Sequence, residues 1–459
     1  MIKTAKENYI LSEKIPLLSP GTLTKQLDLQ TSIPGSYVAS LQERLTNKIT
    51  DDEVVKELAN ASSLCLELCQ SCNLRCCYCA YSGIYKSRRV HRARSMSPAT
   101  AFKAVDLFFS QITSPYRTLR KLPVFSFYGG EPLLEADTLI KVAHYARELS
   151  HRYHIEVEFL LTTNGVLLNK ELIKFLAEEN FIIDISFDGP ESQHDRFRLK
   201  SNQTGSFNDI ISNVRNIQAA YPDYFKERVR FKVTLHPTHD LIAIEDFFLT
   251  NADIFSQRNV FISQVVIDDD LEKDTKEAWT EARKNQLDTF YTRGKRESWF
   301  FHKFFFESLD IRYESKGTPF LWQNFGFTGS CFPGGQKVFV DTDGRVLICE
   351  KCMDNAPIGN VDKGFDHKVI KEIVYEWRNQ ILKRECWKCQ YWYFCPMCLA
   401  SNRKNNHFVI SSDDCTQFVE NIERRFTRYL EYQERKDEMY LTRDSSISDF
   451  LDALRPVET

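Results

Sequence analysis

Six times along this chain a short apolar or alternating run is followed by a longer segment whose apolar residues recur three and four apart. Leu64-Cys65-Leu66-Glu67-Leu68 alternates and predicts a first strand. Pro98 to Ile112 predicts a helix with Phe102, Val105, Phe109 and Ile112 on one face. The same pairing recurs as strand Val124–Tyr128 with helix Leu139–Arg152, and strand Glu156–Leu161 with helix Lys170–Glu179. It recurs again as Ile182–Phe187 with Phe207–Ala220, and Val229–Leu235 with Leu241–Ile254. The sixth strand, Val260–Ile267, precedes a charged helix from Lys273. Strand–helix units in series imply an α/β fold, a parallel sheet with crossover helices. The strand-end loops then share one face, where such folds place their active sites. Periodicity alone leaves an open sheet and a barrel both open.

The flanks break this rhythm. In residues 1–60, Asn8 to Leu11 predicts a short strand, and Ser36–Leu45 and Asp51–Leu58 predict helices, the second capped by Thr50 or Asp51. This region is either a docking extension or a peptide-binding element. Downstream, Val338 to Ile348 alternates around Asp343-Gly344 and predicts a β-hairpin. Phe418–Arg435 reads as a charged helix and 441–459 as a loosely held tail. The expected domains are 1–60, 61–310, 311–436 and a tail at 437–459.

Composition, with 42% hydrophobic and 27% charged residues, is that of a folded chain. A net charge of −3 points to neither nucleic acid nor an anionic membrane surface. The N-terminus lacks the apolar core of a signal peptide, and no run approaches the roughly 20 residues that span a bilayer. The expected location is cytoplasmic, where thiols stay reduced. The 14 cysteines fall in two groups, six between Cys65 and Cys79 and eight between Cys331 and Cys415, which favours metal over scattered buried thiols.

The first group sits where the first strand ends. Cys72, Cys76 and Cys79 have the spacing Cys-x3-Cys-x2-Cys. Three thiolates on such a loop can hold three irons of a 4Fe–4S cluster and leave the fourth open for a ligand; a structural zinc loop is the alternative. The next strands also end unusually. The second runs into Gly129-Gly130-Glu131-Pro132, where glycines permit close backbone approach and a carboxylate can receive an ammonium group. The third ends in Thr162-Thr163-Asn164-Gly165 and the fourth in Ser186-Phe187-Asp188-Gly189-Pro190. Asp195 and Arg198 follow, either closing over a ligand or forming a surface ion pair. Lys86, Arg88, Arg89, His91, Arg92 and Arg94 form either a solvated face or an attractor of acidic or phosphate-bearing partners.

The second cysteine field reads Cys331-x12-Gly344-x4-Cys349, then Cys352, then Cys386, Cys389, Cys395 and Cys398 spaced Cys-x2-Cys-x5-Cys-x2-Cys, then Cys415. Eight thiols suffice for two fully ligated 4Fe–4S clusters. Zinc also uses Cys-x2-Cys pairs. The hairpin would bring Cys331 and Cys349 together. Trp387, Tyr391, Trp392, Tyr393 and Phe394 would pack around such clusters.

Residues 62–420 resemble the radical S-adenosylmethionine (SAM) enzymes that carry a SPASM auxiliary-cluster domain, the peptide maturases related to anaerobic sulfatase maturases. The resemblance implies a partial (β/α)6 barrel with cluster and SAM at the strand carboxyl ends. It implies that Cys72, Cys76 and Cys79 hold the SAM-binding cluster, with Tyr78 as the family's aromatic beside the last cysteine. Gly129, Gly130 and Glu131 match the Gly-Gly-Glu motif for the SAM amino group; Thr163, Asn164 and Ser186 would face SAM, and Asp188 would either do so or support its loop. Cys331, Cys349 and Cys398, with Cys352, would hold a first auxiliary cluster, and Cys386, Cys389, Cys395 and Cys415 a second, giving three 4Fe–4S clusters. The Cys395-x2-Cys398 spacing is one residue shorter than the family's usual Cys-x3-Cys. Glu350 stands where sulfatase maturases place an Asp base, and is either a base or an ion-pair residue.

The implied function is modification of a ribosomally made precursor peptide, a thioether crosslink first, with a flavodoxin- or ferredoxin-type electron donor. A carbon–carbon crosslink, epimerisation and formylglycine formation on a sulfatase are the alternatives. A non-enzymatic iron–sulfur or zinc module would lack the Gly-Gly-Glu and Ser-x-Asp-Gly segments, and this chain has both. Peptide-modifying members often grip a leader peptide with an N-terminal winged helix, for which residues 1–60 are short.

Overall fold

Six parallel strands carry the architecture: β1 (Ser63–Cys69), β2 (Val124–Gly129), β3 (Glu158–Thr163), β4 (Ile182–Ser186), β5 (Val229–Leu235) and β6 (Val260–Gln264). Each is hydrogen-bonded to the next in chain order. A doubly wound sheet would reverse its order midway; this one does not, and with the intervening helices it forms a partial (β/α)6 barrel. The computed structural model describes residues 2–3, 8–11, 26–27, 42–43 and 45–442, except 87, 268–269, 308–330, 352–356, 390, 392–394, 396, 400–402 and 405–406. Cys352, Trp392, Tyr393, Phe394, most of Ser36–Leu45 and the tail beyond 442 lie outside the described residues. Among the described residues no helix is long and apolar enough to cross a membrane.

The alternation within the strands sets what faces where. Phe125, Phe127, Phe159, Leu161, Ile183, Ile185, Phe231 and Val233 are at most 1% exposed and form the layer under the outer helices. Those helices are α2 (Pro98–Ile112), α3 (Ala136–Tyr153), α4 (Lys170–Glu178), α5 (Phe207–Ala220) and α6 (Leu241–Thr250). Ser97, Asn169 and Asp240 cap three of them by accepting first-turn N–H bonds. The opposite strand face carries Ser126, Tyr128, Thr162, Asp184, Ser186, Arg230, Lys232 and Thr234. Asp184 accepts from Arg230 Nε at 2.6 Å and pairs with Lys232 at 3.3 Å. The barrel interior is therefore rich in polar groups, set among Leu160, Ile182 and Phe261 on the same face, unlike the apolar layers that fill closed barrels.

The C-terminal region joins the same sheet. β7 (Lys337–Val340) runs parallel to β1, with Val338 opposite Leu64 and Phe339 opposite Cys65. β8 (Arg345–Leu347) returns as the expected hairpin, and β9 (Gly359–Asn360) and β10 (Gly364–Phe365) continue the sheet. The predicted hairpin is thus an extension of the barrel wall. The final helix runs over Ser412–Thr442, longer than the predicted Phe418–Arg435. α6 ends at Thr250, short of Ile254, because the Asn251 side chain bonds back to the Phe247 carbonyl at 2.9 Å.

In the N-terminal region, Asn8–Leu11 is a strand between two shorter ones. Helix α1 (Asp51–Ala59) starts at a capping box, Thr50 accepting from Glu53 N–H while the Glu53 carboxylate accepts from Thr50 N–H at 2.7 Å. On α1, burial pushes the Glu57 carboxyl from 4.5 up to about 7, opposed by the charge of Arg378. A carboxyl raised on folding adds stability only while protonated, so this contribution fades as pH rises from about 4.5 through 7. Glu57→Gln should therefore be more stable than the parent by about 1–3 kcal/mol near pH 8 and nearly equal to it near pH 4. Urea denaturation at the two pH values checks both halves.

Candidate active site

The loop after β1 projects three thiols from the barrel's carboxyl end, and each meets a polar partner. Cys72 Sγ accepts from Leu74 N–H at 3.4 Å and from Asn164 Nδ2 at 3.8 Å. Cys76 Sγ accepts from Arg198 Nη1 at 3.9 Å. Cys79 Sγ accepts from Tyr81 N–H at 3.4 Å and lies 3.9 Å from His91 Nε2. Burial pushes the Cys72 and Cys76 thiols up to about 12, and Cys79 up as well, with the neighbouring cysteines adding to the first two. Such thiols stay neutral until a cation compensates them, while the N–H donors are ready for sulfur as thiolate. The donor set fits a 4Fe–4S cluster on three thiolates.

Loop and strand ends are locked together. Gly129 and Gly130 bring β2 against the cysteine loop, not against an open space. A Cβ at Gly130 would stand 2.0 Å from the Ser71 carbonyl oxygen, and one at Gly129, whose φ is +143°, 2.3 Å from that of Cys69. Gly130→Ala should therefore displace the loop and lose the roughly four irons of the triad's cluster after reconstitution, read by iron analysis. Glu131 is buried, and burial pushes its carboxyl up to about 7 against the hydrogen bonds it receives. These come from Thr163 Oγ1 at 2.6 Å, Asn164 N–H at 2.7 Å and Leu133 N–H at 3.1 Å. Glu131 thus ties the end of β2 to the end of β3. Asn164 extends the tie by donating to Asn73 at 2.7 Å.

Asp188 is fully buried. Arg198 donates to it at 2.7 and 3.2 Å, Thr234 N–H at 2.8 Å, and the Tyr78 hydroxyl also donates to it. Burial alone would raise the Asp188 carboxyl; Arg198 holds it below its usual range. These bonds tie Asp188 to Arg198, to β5 at Thr234 and to Tyr78 of the cysteine loop. Arg198 is buried rather than part of a surface ion pair, and Asp195 instead accepts from Ser206 and Phe207 N–H at 2.8 and 2.9 Å where α5 begins. Ser186 ends β4 on the inner face, in register with Lys232.

Most of the basic run is paired. Lys86 meets Glu272 at 3.2 Å, Arg88 meets Asp270 at 3.8 Å, Arg94 meets Asp343 at 2.8 Å, and Arg89 is buried on Glu67. His91 Nδ1 lies 3.1 Å from the Gln70 carbonyl oxygen, which turns its other nitrogen toward Cys79. Cys77 is exposed and Cys65 is buried with Phe339 and Leu347. The inner-face charges Asp184, Arg230 and Lys232 were not picked out from the sequence, and His91 was read only as part of the basic run, not as a neighbour of Cys79. Parity within Val229-Arg230-Phe231-Lys232-Val233 could have revealed the first set; nothing local in sequence places His91 at Cys79.

Downstream, the charges of Cys349 and Cys398 act on Cys331, and those of Cys395, Cys415 and Cys389 act on Cys386. The thiols thus gather in two sets. Among the described residues no three His, Cys, Asp or Glu side chains stand close enough to hold one metal ion. A cluster spreads its thiolates over separate irons, so its ligands stand farther apart than those of one zinc. The Lys337 ammonium holds both Glu350 oxygens, at 3.0 and 3.1 Å. Tyr391 donates to Glu423 of the last helix at 2.6 Å, fastening that helix to the cysteine-rich segment.

Residues 66–248 match the model of the radical SAM superfamily. Over 376 residues, 78% of this chain and 93% of the relative, the chain is 25% identical to the cysteine-type anaerobic sulfatase-maturating enzyme of Clostridium novyi (strain NT). The solved structure of native anSMEcpe with bound AdoMet superposes with a TM-score of 0.56 at 19% identity, covering 83% of this chain and 99% of that one. The same protein with bound AdoMet and Cp18Cys peptide gives 0.55 at 18% identity, again over 83% and 99%. Those two likenesses are of fold.

Proposed function

From the match of residues 66–248 to the radical SAM superfamily model, we propose that the chain modifies a ribosomally made peptide by radical hydrogen abstraction, closing a thioether bridge between a cysteine and another residue's carbon. The observation that carries this reading is the grouping of the downstream thiols into two sets, one about Cys331 and one about Cys386, in a chain whose β7 pairs with β1, the strand that leads into the Cys72, Cys76 and Cys79 loop. When bound, SAM and the clusters supply the 5′-deoxyadenosyl radical and an acceptor for the electron that crosslinking releases.

The chain's own residues hold the parts in place. Cys72, Cys76 and Cys79 would hold the SAM-binding cluster. Cys331, Cys349 and Cys398, with Cys352, would hold one auxiliary cluster, and Cys386, Cys389, Cys395 and Cys415 the other. Asn164 and Arg198 donate to the triad, and Ser186 and Thr163, at the strand ends, would face SAM. The polar inner face, with Asp184, Arg230 and Lys232, suits a hydrated peptide chain better than an apolar ligand. The precursor peptide and a flavodoxin- or ferredoxin-type reductant are the implied partners.

A second reading, formylglycine formation on a sulfatase, is favoured by the relative matched over 93% of its length. It needs a base at Glu350, whose oxygens Lys337 engages at 3.0 and 3.1 Å. Anaerobically reconstituted protein should bind on the order of 12 irons, from three four-iron clusters; about four irons would remove the auxiliary clusters from this account. Mass spectrometry of candidate peptides after incubation with SAM and reductant separates the outcomes. A crosslink removes two hydrogens. Formylglycine made from cysteine also exchanges sulfur for oxygen, and epimerisation leaves the mass unchanged.

A further inference from the structure

Between the cysteine loop and the β7–β8 hairpin lies a narrow polar slot, lined among others by Glu67, Gln70, Arg89, Arg92, Asp341 and Arg345. Two of its charged groups are deeply buried, Glu67 at 1% and Arg89 at 6% exposure, and they form an ion pair. The Arg89 guanidinium sits over the Tyr81 ring, 3.6 Å from its centroid. Gln70 Nε2 donates to Glu67 Oε2 at 3.0 Å and to Thr342 Oγ1 at 3.1 Å. Arg89 Nε and Nη1 and Gln70 Oε1 are buried with no hydrogen-bond partner. Buried charged donors are costly to leave without acceptors, and a cluster of them marks a place where a guest completes the set.

The guest's chemistry follows from charge and size. Arg89, Arg92, Arg94 and Arg345 line the slot; Glu67, Asp343 and Asp341 pair with Arg89, Arg94 and Arg345 in turn, so the charge of Arg92 is left in excess. The enclosed space is ≈ 20 Å³, room for a water or the oxygens of one carboxylate rather than a whole ligand. A guanidinium fork matches a planar carboxylate. The slot also borders the chemistry: Gln70 precedes Cys72 by two residues, and Tyr81 follows Cys79 by two.

We propose that this slot receives an Asp or Glu carboxylate of the substrate peptide, so that the enzyme selects a segment with an acidic side chain near the residue it modifies. This rests on the peptide reading above. The test uses the reconstituted, SAM-loaded protein without oxygen and two blocked tripeptides, acetyl-Gly-Asp-Gly-amide and acetyl-Gly-Asn-Gly-amide, with binding read from broadening of their NMR signals. The Asp peptide should bind at least about tenfold more tightly, the worth of one hydrogen bond to a charged group. Arg92→Gln, at an exposed position, should remove most of that preference while iron content reports an intact fold.

Equal binding of the two peptides overturns the slot and leaves the peptide reading standing. Binding of inorganic phosphate with neither peptide bound also overturns it, as a small-anion site. If Arg92→Gln fails to load iron, the Asp-against-Asn comparison on the parent protein decides. Modification of a candidate peptide in the mass-spectrometric experiment is judged separately from either result.

Discussion

Replacing Cys76 by alanine will abolish SAM cleavage and lower bound iron from on the order of 12 to on the order of 8. Cys76 lies between two partners of the same triad and takes a hydrogen bond from the buried Arg198 at 3.9 Å. No other described sulfur can replace it. Cys77 is adjacent but exposed, and its backbone N–H is bonded to the Phe197 carbonyl at 3.1 Å. Cys77→Ala is therefore the matched control and should retain both iron and activity. The downstream thiols belong to other sets, so their irons should remain in Cys76→Ala. Anaerobic iron analysis with chromatography for 5′-deoxyadenosine reads both parts. Production at the parent rate from Cys76→Ala would refute the site.

Arg198→Met should destabilise the protein by about 3–5 kcal/mol, the usual cost of leaving one member of a buried ion pair alone. Asp188 is 0% exposed, and Arg198 supplies two of its hydrogen bonds. The partner interactions of Tyr78 and Thr234 would remain but leave the negative charge uncompensated. Because Arg198 holds the Asp188 carboxyl below its unfolded value, that contribution is present above the ordinary carboxylate range. It is lost as pH falls through the folded value. The double change Asp188→Asn with Arg198→Met should recover much of the single variant's loss, which a double-mutant cycle in urea measures. Additive losses in the cycle would mean that the two groups act independently.

The strand–helix series was readable because each strand is a short apolar or alternating run and the helices between repeat on one face, and the six parallel strands follow in chain order. Periodicity could not choose between sheet and barrel; neighbour order, a long-range property, does. The same limit hid β7 beside β1, since a hairpin can be read locally but its docking edge cannot. Within the site, the cysteine triad was legible from spacing alone. Gly129, Gly130 and Glu131 were legible as a motif, yet their sequence says nothing of direction. In the fold the glycines admit the cysteine loop and Glu131 bonds to Thr163 and Asn164. The basic run read as a patch because its acidic partners Glu67, Asp270, Glu272 and Asp343 are remote in sequence.

Formation of 5′-deoxyadenosine by the reconstituted parent protein tests the central claim most directly. Incubation with SAM and a one-electron reductant, without oxygen, should yield 5′-deoxyadenosine, increased by a peptide substrate with an abstractable C–H hydrogen at the modified carbon. Intact SAM after incubation with protein that carries its full complement of iron would contradict the account.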